Sequence, residues 1–277
     1  MTTPPARTAC VTGAASGIGR ALTRQLVDAG WHVLASDVDQ SGLADTSRQC
    51  SAPDRVEVEA LDVRDEKAVR AYAEKAIEAH GAPDLLINNA GIALSGRVWE
   101  MTSDDIRQIL DVNYWGVVHC TQAFLPAMME RNSGSVVNVS SIFGIVGFPA
   151  MAAYNSSKFA VRGFTECLRM ELDLAGSGVR VTCVHPGGVA TNIVAQQRTA
   201  SLRSETPDHE LVKAEFARRA RTTPEAAARK ILRAALRGKR RVLVGLDARL
   251  IDTAQRLLAS WVQPLIVRAT RSTSELL

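Results

Sequence analysis

The sequence predicts an α/β fold: one doubly wound, mainly parallel sheet of about seven strands with helices on both faces. Three observations predict it. Short apolar runs alternate with longer helical patterns from residue 7 onward. The runs are continuously apolar, as strands covered on both faces are. A glycine-rich turn, Thr12-Gly13-Ala14-Ala15-Ser16-Gly17-Ile18-Gly19, joins the first run to the first helical pattern.

The elements follow in order. Strands are expected over residues 7–12, 31–36, 55–61, 84–87, 135–139 and 179–184, with a short last one over 242–244. Helical patterns fill 17–29, 66–80, 103–129 and 152–174, and right-handed crossovers of this kind make the strands parallel. Another helix is expected over 224–236, where Thr223-Pro224-Glu225 is a start signal. From residue 249 an apolar stripe runs through Leu250, Ile251, Ala254, Leu257, Leu258, Trp261, Val262, Leu265 and Ile266. Asp252, Arg256 and Gln263 lie opposite, and Pro264 is expected to kink or end that helix. The organisation is therefore one domain over 1–246 and an amphipathic helical extension over 247–277. Polar residues 196–209, without periodicity, sit inside a substrate flap of about 190–222.

Bulk properties narrow the function. At 277 residues a single core is large enough to need no metal or disulfide. A net charge of +4, with no aromatics interleaved among basic residues, gives no nucleic-acid signature. The odd set Cys10, Cys50, Cys120, Cys167 and Cys183 has no CxxC pair and reads as reduced thiols of a cytoplasmic protein. The start MTTPPART lacks the pattern of a signal peptide, and no apolar run approaches the ~20 residues that span a bilayer. The five histidines are scattered, without metal-ligand spacing.

The glycine turn has the context of a dinucleotide site. It follows a strand and opens a helix, whose N-terminal N–H groups and positive dipole end face an anion. Glycines let the backbone turn tightly and approach a pyrophosphate. Asp37, eighteen residues after Gly19, stands where a carboxylate accepts both ribose hydroxyls of the adenosine half and repels a 2′-phosphate. No Arg or Lys lies among Ala14 to Ser16, and Val38 follows Asp37, so NAD is favoured over NADP. Asp62, before Val63, reads equally as an adenine contact or as a helix N-cap. Asn88-Asn89-Ala90-Gly91 closes the fourth strand, where small residues let the backbone pass under a ligand.

The chemistry is expected at Tyr154 and Lys158. Four residues apart in a helical pattern, they share a face. A phenol titrates near 10, and an adjacent ammonium lowers that value toward the range of a useful acid or base. Ser141, thirteen residues before Tyr154, offers a hydroxyl to a substrate oxygen, with Ser140 as the competitor.

Together these residues resemble the short-chain dehydrogenase/reductase family. The match covers residues 8–191, about two thirds of the chain, with its pieces in family order: the TGxxxGIG turn, Asp37, Asp62-Val63, the NNAG, Asn113 in NxxG, the serine, the YxxxK and Pro186-Gly187. The resemblance implies a Rossmann fold and a catalytic tetrad of Asn113, Ser141, Tyr154 and Lys158, and it selects Ser141 over Ser140. It implies that Lys158 also holds the nicotinamide ribose. Asn113 would hold a backbone position and a water in a proton relay. Pro186, Gly187, Val189 and Thr191 would lie at the nicotinamide end, beside the loop residues Gly13, Ser16, Gly17, Ile18 and Gly19 and with Asn89, Ala90 and Gly91. His185 reads as a backbone partner rather than an acid or base.

The expected reaction is interconversion of a secondary alcohol and a ketone with NAD(H). The residues flanking the tetrad, Ala93, Leu94, Ile142, Phe143, Phe148, Met151, Ile193 and Val194, are mostly apolar and include no Arg placed for a carboxylate. A hydrophobic substrate follows: steroid-like, terpenoid or acyl-derived. The alternatives are a non-catalytic NAD-binding regulatory protein on the same fold, and an epimerase or dehydratase of nucleotide-sugars. Family members are commonly homodimers or homotetramers, through the helices around 103–129 and 152–174. The terminal stripe is expected to dock on its own fold or on a partner subunit. The basic segment 218–241 reads as a solvated helix face, with a membrane-surface contact ranked below.

Overall fold

The structure, a computed structural model, describes residues 7–191, 193, 197–203 and 220–271. Among them, seven strands form one all-parallel sheet: β1 (Thr8–Thr12), β2 (His32–Asp37), β3 (Val56–Ala60), β4 (Leu85–Asn88), β6 (Gly134–Val139), β7 (Val179–Pro186) and β9 (Arg241–Val244), in the order β3-β2-β1-β4-β6-β7-β9. The order reverses between β1 and β4, so β1 and β4 open a crevice at their carboxyl ends. A separate two-stranded pair joins β5 (Leu94–Ser95) to β8 (Arg198–Thr199) beside that crevice. It has no counterpart in the sequence reading, because two-residue strands carry no periodicity.

Helices cover both faces. On one, α1 (Gly17–Asp28) and α7 (Pro224–Leu236) bury Leu22, Leu26, Ile231 and Ala235 against Val11, Val33 and Val184. On the other, α3 (Glu66–His80), α5 (Gly116–Glu130) and α6 (Ala152–Leu174) bury Ala73, Phe124, Met128 and Leu168 against Cys10, Leu86, Val136 and Val181. Each large apolar side chain fully enclosed here contributes about 1.5–3 kcal/mol. A helix α2 (Gln40–Arg48), weakly patterned and unassigned in the sequence reading, starts at Asp39, whose carboxylate accepts from Gly42 N at 2.9 Å. Cys10, Cys50, Cys120 and Cys183 are buried and Cys167 is exposed, all as free thiols.

Two expected helices differ. The single helix over 103–129 is α4 (Ser103–Leu110), a π-helical turn (Asp111–Trp115) and then α5. A π turn inserts an extra residue and re-aims side chains; here Asn113 is driven inside, at 0% exposure. The terminal helix breaks into α8 (Leu246–Leu258) and α9 (Val262–Arg271), and the break is at Ala259, with φ +47°, rather than at Pro264. Pro264 lies in the first turn of α9, where its missing N–H costs nothing.

The extension buries only part of its stripe on its own fold: Val262 is buried and Ile251, Ala254 and Ile266 are half-buried. Leu257 and Trp261 are 79% and 75% exposed, and Leu250 and Leu265 are exposed too. The opposite face docks: Ala248 and Asp252 are buried, and Asp252 pairs with Arg241 of β9 at 2.7 Å and with Arg256 at 3.0 Å. The buried carboxylate decides the orientation, because an unpaired one would be costly there. Arg229 and Arg233 of α7, and Arg237 just after it, are exposed, as expected of a solvated face. No described helix is long and apolar enough to cross a membrane. The expected flap over 190–222 lies largely outside the described residues, as does Val194.

Candidate active site

The glycine turn is shaped by contact. Gly13 holds φ +66°, and a Cβ there would stand 2.8 Å from the Cα of Ala90. A Cβ on Gly19 would overlap the Gly13 carbonyl. Thr12 and Asn89 lock the turn to the end of β4. Thr12 Oγ1 accepts from the N–H of Asn89 and Ala90 at 3.0 and 3.1 Å, while Asn89 Nδ2 donates to the carbonyls of Thr12 and Gly13 at 3.0 and 3.1 Å. Asn89 thus builds the cradle with its side chain. Ser16, N-cap of α1, makes no side-chain cap, so the first N–H groups of Gly17, Ile18 and Gly19 stay open toward the turn. This cradle fits a dinucleotide pyrophosphate. A cavity of about 270 Å³ opens beside it between Ser16, Gly17, Arg20, Thr191 and Pro224.

Asp37, at the end of β2, accepts from Ala15 N at 3.0 Å and Asp39 N at 3.1 Å, so its carboxylate is fixed at the turn. Arg20, which the sequence reading did not weigh, reaches the same place and bonds the Ala15 carbonyl and Thr46 Oγ1. Asp62 is not the cap of α3. Asp65 is, accepting from Lys67 N and Ala68 N, while Asp62 engages Arg64 at 2.6 Å. Val63 is buried, and its carbonyl accepts from the His119 ring at 3.0 Å.

The four expected chemical residues converge from three elements. Tyr154 and Lys158, on the first turns of α6, are buried, with Lys158 Nζ 5.6 Å from the Tyr154 ring centroid. Lys158 Nζ donates to the Val139 carbonyl at 2.9 Å. Asn113 bonds the backbone of Ile92 through both ends of its amide, at 2.8 and 3.0 Å, and donates to Ser157 Oγ at 2.9 Å. Gly91 lies against both groups: a Cβ there would stand 3.2 Å from Asn113 Oδ1 and 3.4 Å from Lys158 Nζ. Ser140 and Ser141 separate cleanly. Ser140 Oγ donates to the Lys158 carbonyl at 2.8 Å, whereas Ser141 Oγ accepts from Phe143 N and faces the Tyr154 hydroxyl.

The protonation of this site differs from the sequence expectation. Burial pushes the Tyr154 phenol up to about 12, against a hydrogen bond with Ser141 that works downward. Burial pulls the Lys158 ammonium down to about 8. Desolvation is the larger cause at both groups, so the phenol holds its proton. His185 is fully buried, with Nδ1 3.0 Å from the Ser141 carbonyl, which steadies the strand end that carries Ser141.

Phe143 stands at the site wall, its ring centroid 5.9 Å from that of Tyr154 and 4.9 Å from that of Phe148. Leu94 is instead a core residue, packed with Met101, Ile109, Ala153 and Ala200. Ile193 is half-buried. Pro186 ends β7, Val189 is buried and bridges to Thr222, and Thr191 lies against Gly17. Asp247, in the first turn of α8, accepts from Gly188 N at 2.6 Å and leaves no room for a Cβ on Gly187. The extension therefore touches the loop after β7, a contact with no local signal in the sequence.

Comparison with known proteins agrees with this geometry. A family model described as short chain dehydrogenase matches residues 7–202. The chain is 43% identical over 262 residues to the putative oxidoreductase SadH of Mycobacterium tuberculosis, covering 94% of each. It is 37% identical over 182 residues to the 3-oxoacyl-[acyl-carrier-protein] reductase FabG of Thermotoga maritima, covering 65% of this chain and 73% of that one. Among solved structures, a short chain dehydrogenase/reductase from Burkholderia phymatum in complex with NAD superposes with a TM-score of 0.82 at 30% identity, over 94% of this chain and 96% of that one. ElxO with NADP bound superposes with a TM-score of 0.74 at 25% identity, over 86% and 97%. Strand order, glycine cradle and family match converge: the chain is an oxidoreductase that belongs to the short-chain dehydrogenase/reductase family.

Proposed function

We propose that the protein interconverts a secondary alcohol and a ketone with NAD(H), through Tyr154, Ser141, Lys158 and Asn113. The observation that carries this reading is the Tyr154 hydroxyl facing that of Ser141, with Lys158 Nζ behind the ring. A nicotinamide dinucleotide bound along the glycine turn supplies or accepts the hydride. In reduction, Tyr154, held protonated by burial, gives its proton to the substrate oxygen. Ser141 donates a hydrogen bond to that oxygen and steadies the charge developing on it. In oxidation Tyr154 must lose its proton first, which the ammonium form of Lys158 favours. Asn113, with its amide engaged by Ile92 and Ser157, holds the backbone beside Lys158.

Asp37 supports NAD over NADP, because a fixed carboxylate repels a 2′-phosphate. Phe143, Phe148 and Met151, half-buried beside Tyr154, support an apolar substrate, and the Thermotoga relative is named for a 3-oxoacyl group. A cytoplasmic location and a homo-oligomer fit the same reading.

The test is absorbance at 340 nm with NAD or NADP against steroid, terpenoid, hydroxyacyl and small-diol alcohols. Turnover with NAD that falls ~100-fold or more in Tyr154→Phe is expected. In Asp37→Ala the preference for NAD should fall ~10-fold or more, as a like-charge clash is removed. Turnover that survives Tyr154→Phe sinks the assignment. NAD binding without turnover of any alcohol favours the regulatory reading instead.

A further inference from the structure

At the end of the sheet remote from Tyr154, three residues far apart in sequence meet. His32 is the first residue of β2, Glu57 lies in the edge strand β3, and His80 is the last residue of α3. His32 Nε2 stands 2.8 Å and His80 Nε2 3.0 Å from the same oxygen, Oε1 of Glu57. The two imidazoles lie 4.7 Å apart between centroids, tilted by 32°, and the three potential ligand atoms all fall within 4.8 Å of one another. The rings are largely covered, about one-fifth exposed, while Glu57 is open to solvent. Burial works upward on the Glu57 carboxyl, but the hydrogen bonds from His32 and His80 outweigh it and hold the group below its usual range.

We infer that His32, Glu57 and His80 form a binding site for a divalent transition-metal ion of the zinc type. Two neutral imidazoles and a carboxylate are a donor set that such ions accept, with Zn–N and Zn–O distances of about 2.0–2.2 Å. Ligands at those distances on a tetrahedron are about 3.3 Å apart, so a small shift of the Glu57 oxygen away from the two nitrogens, at 2.8 and 3.0 Å, makes room for the ion. The fourth position faces solvent and takes water. The three donors come from two strands and a helix end, so the ion ties the edge strand β3 to β2 and to the carboxyl end of α3. Its effect falls on stability, because His32 and the cofactor-side Asp37 stand at opposite ends of β2.

The test uses the full chain after chelator treatment. Co²⁺ is titrated while the visible absorption of the bound ion is followed, and melting is recorded with and without Zn²⁺. One Co²⁺ per chain is expected, together with a melting point about 5 °C higher at a hundredfold excess of Zn²⁺ over Kd. His80→Gln and, separately, Glu57→Gln should each weaken binding ~100-fold and abolish the shift, while His119→Gln leaves both intact. Circular dichroism verifies that the variants fold, and their melting points without metal give the baseline. Binding that is unchanged in both variants, or seen only at millimolar metal, overturns the site. So does a wild-type protein whose melting ignores Zn²⁺, in which case the cluster is only an ionic bridge.

Discussion

At the scale of single residues, burial decides the chemistry. Tyr154, Lys158 and His185 each have little or no exposure, and burial disfavours the charged form of all three. His185 makes this measurable. Its pKa is held down to about 4 from an ordinary 6.5, so between those values the unfolded chain binds more protons than the folded one. Stability should therefore fall as pH drops from about 6.5 to about 4, by about 3 kcal/mol, with no further loss from this group below that window. Denaturant melts of His185→Gln should show a flatter dependence over that range; an unchanged slope would sink the argument. The residues of the site were legible where chemistry depends on spacing, as with Tyr154 and Lys158 four apart. They were not legible where it depends on enclosure. Nothing local says that Ser140 bonds the Lys158 carbonyl while Ser141 faces Tyr154, or that the phenol keeps its proton. The meeting of His32, Glu57 and His80 was invisible for the same reason, since only the sheet order brings β2, β3 and α3 together.

At the scale of elements, strands and long helices were readable and their interruptions were not. The helices over 66–80, 152–174 and 224–236 stand where their apolar period and start signals put them. The π turn at Asp111–Trp115 was not legible: an extra residue turns the apolar face by about 100°, but no proline or glycine within the turn marks the place. The break before α9 was placed at the proline, but it lies at Ala259, a non-glycine residue at φ +47°. That backbone state is strained for alanine, at a cost on the order of 1–3 kcal/mol. After the entropy that glycine adds to the unfolded chain, Ala259→Gly should raise stability by about 1 kcal/mol and the melting point by about 2 °C. Calorimetry on the full chain reads this directly, and a lower melting point would show that the strain is relieved some other way.

At the scale of the whole molecule, the topology followed from the alternation of elements, and the helices that the family resemblance offers as an interface keep apolar side chains on the surface. Trp115, Met129 and Phe159 on the π turn, α5 and α6 remain exposed, together with Met170 and Leu174. So do Leu250, Leu257, Trp261 and Leu265 of the stripe on α8 and α9. Both support a homodimer or homotetramer. Light scattering at micromolar concentration should give a mass of two or four chains, and Phe159→Asp should lower it; a monomer in both proteins overturns the assembly. The inverted seating of α8 has a consequence of its own. The sheet is fastened by apolar contact, whereas the tail is tied to β9 by the ion pair of Asp252 with Arg241, beside the Asp247–Gly188 hydrogen bond and the buried Ala248 and Val262. Taking one partner from a buried ion pair costs about 3–5 kcal/mol, a loss that falls on the seat of α8 and leaves the apolar core in place. The pair thus acts as a latch on the C-terminal helices: trypsin should clip Asp252→Asn near Arg249 or Arg256 well before it opens the core, and cutting no faster than in the natural sequence would show that the latch lies elsewhere.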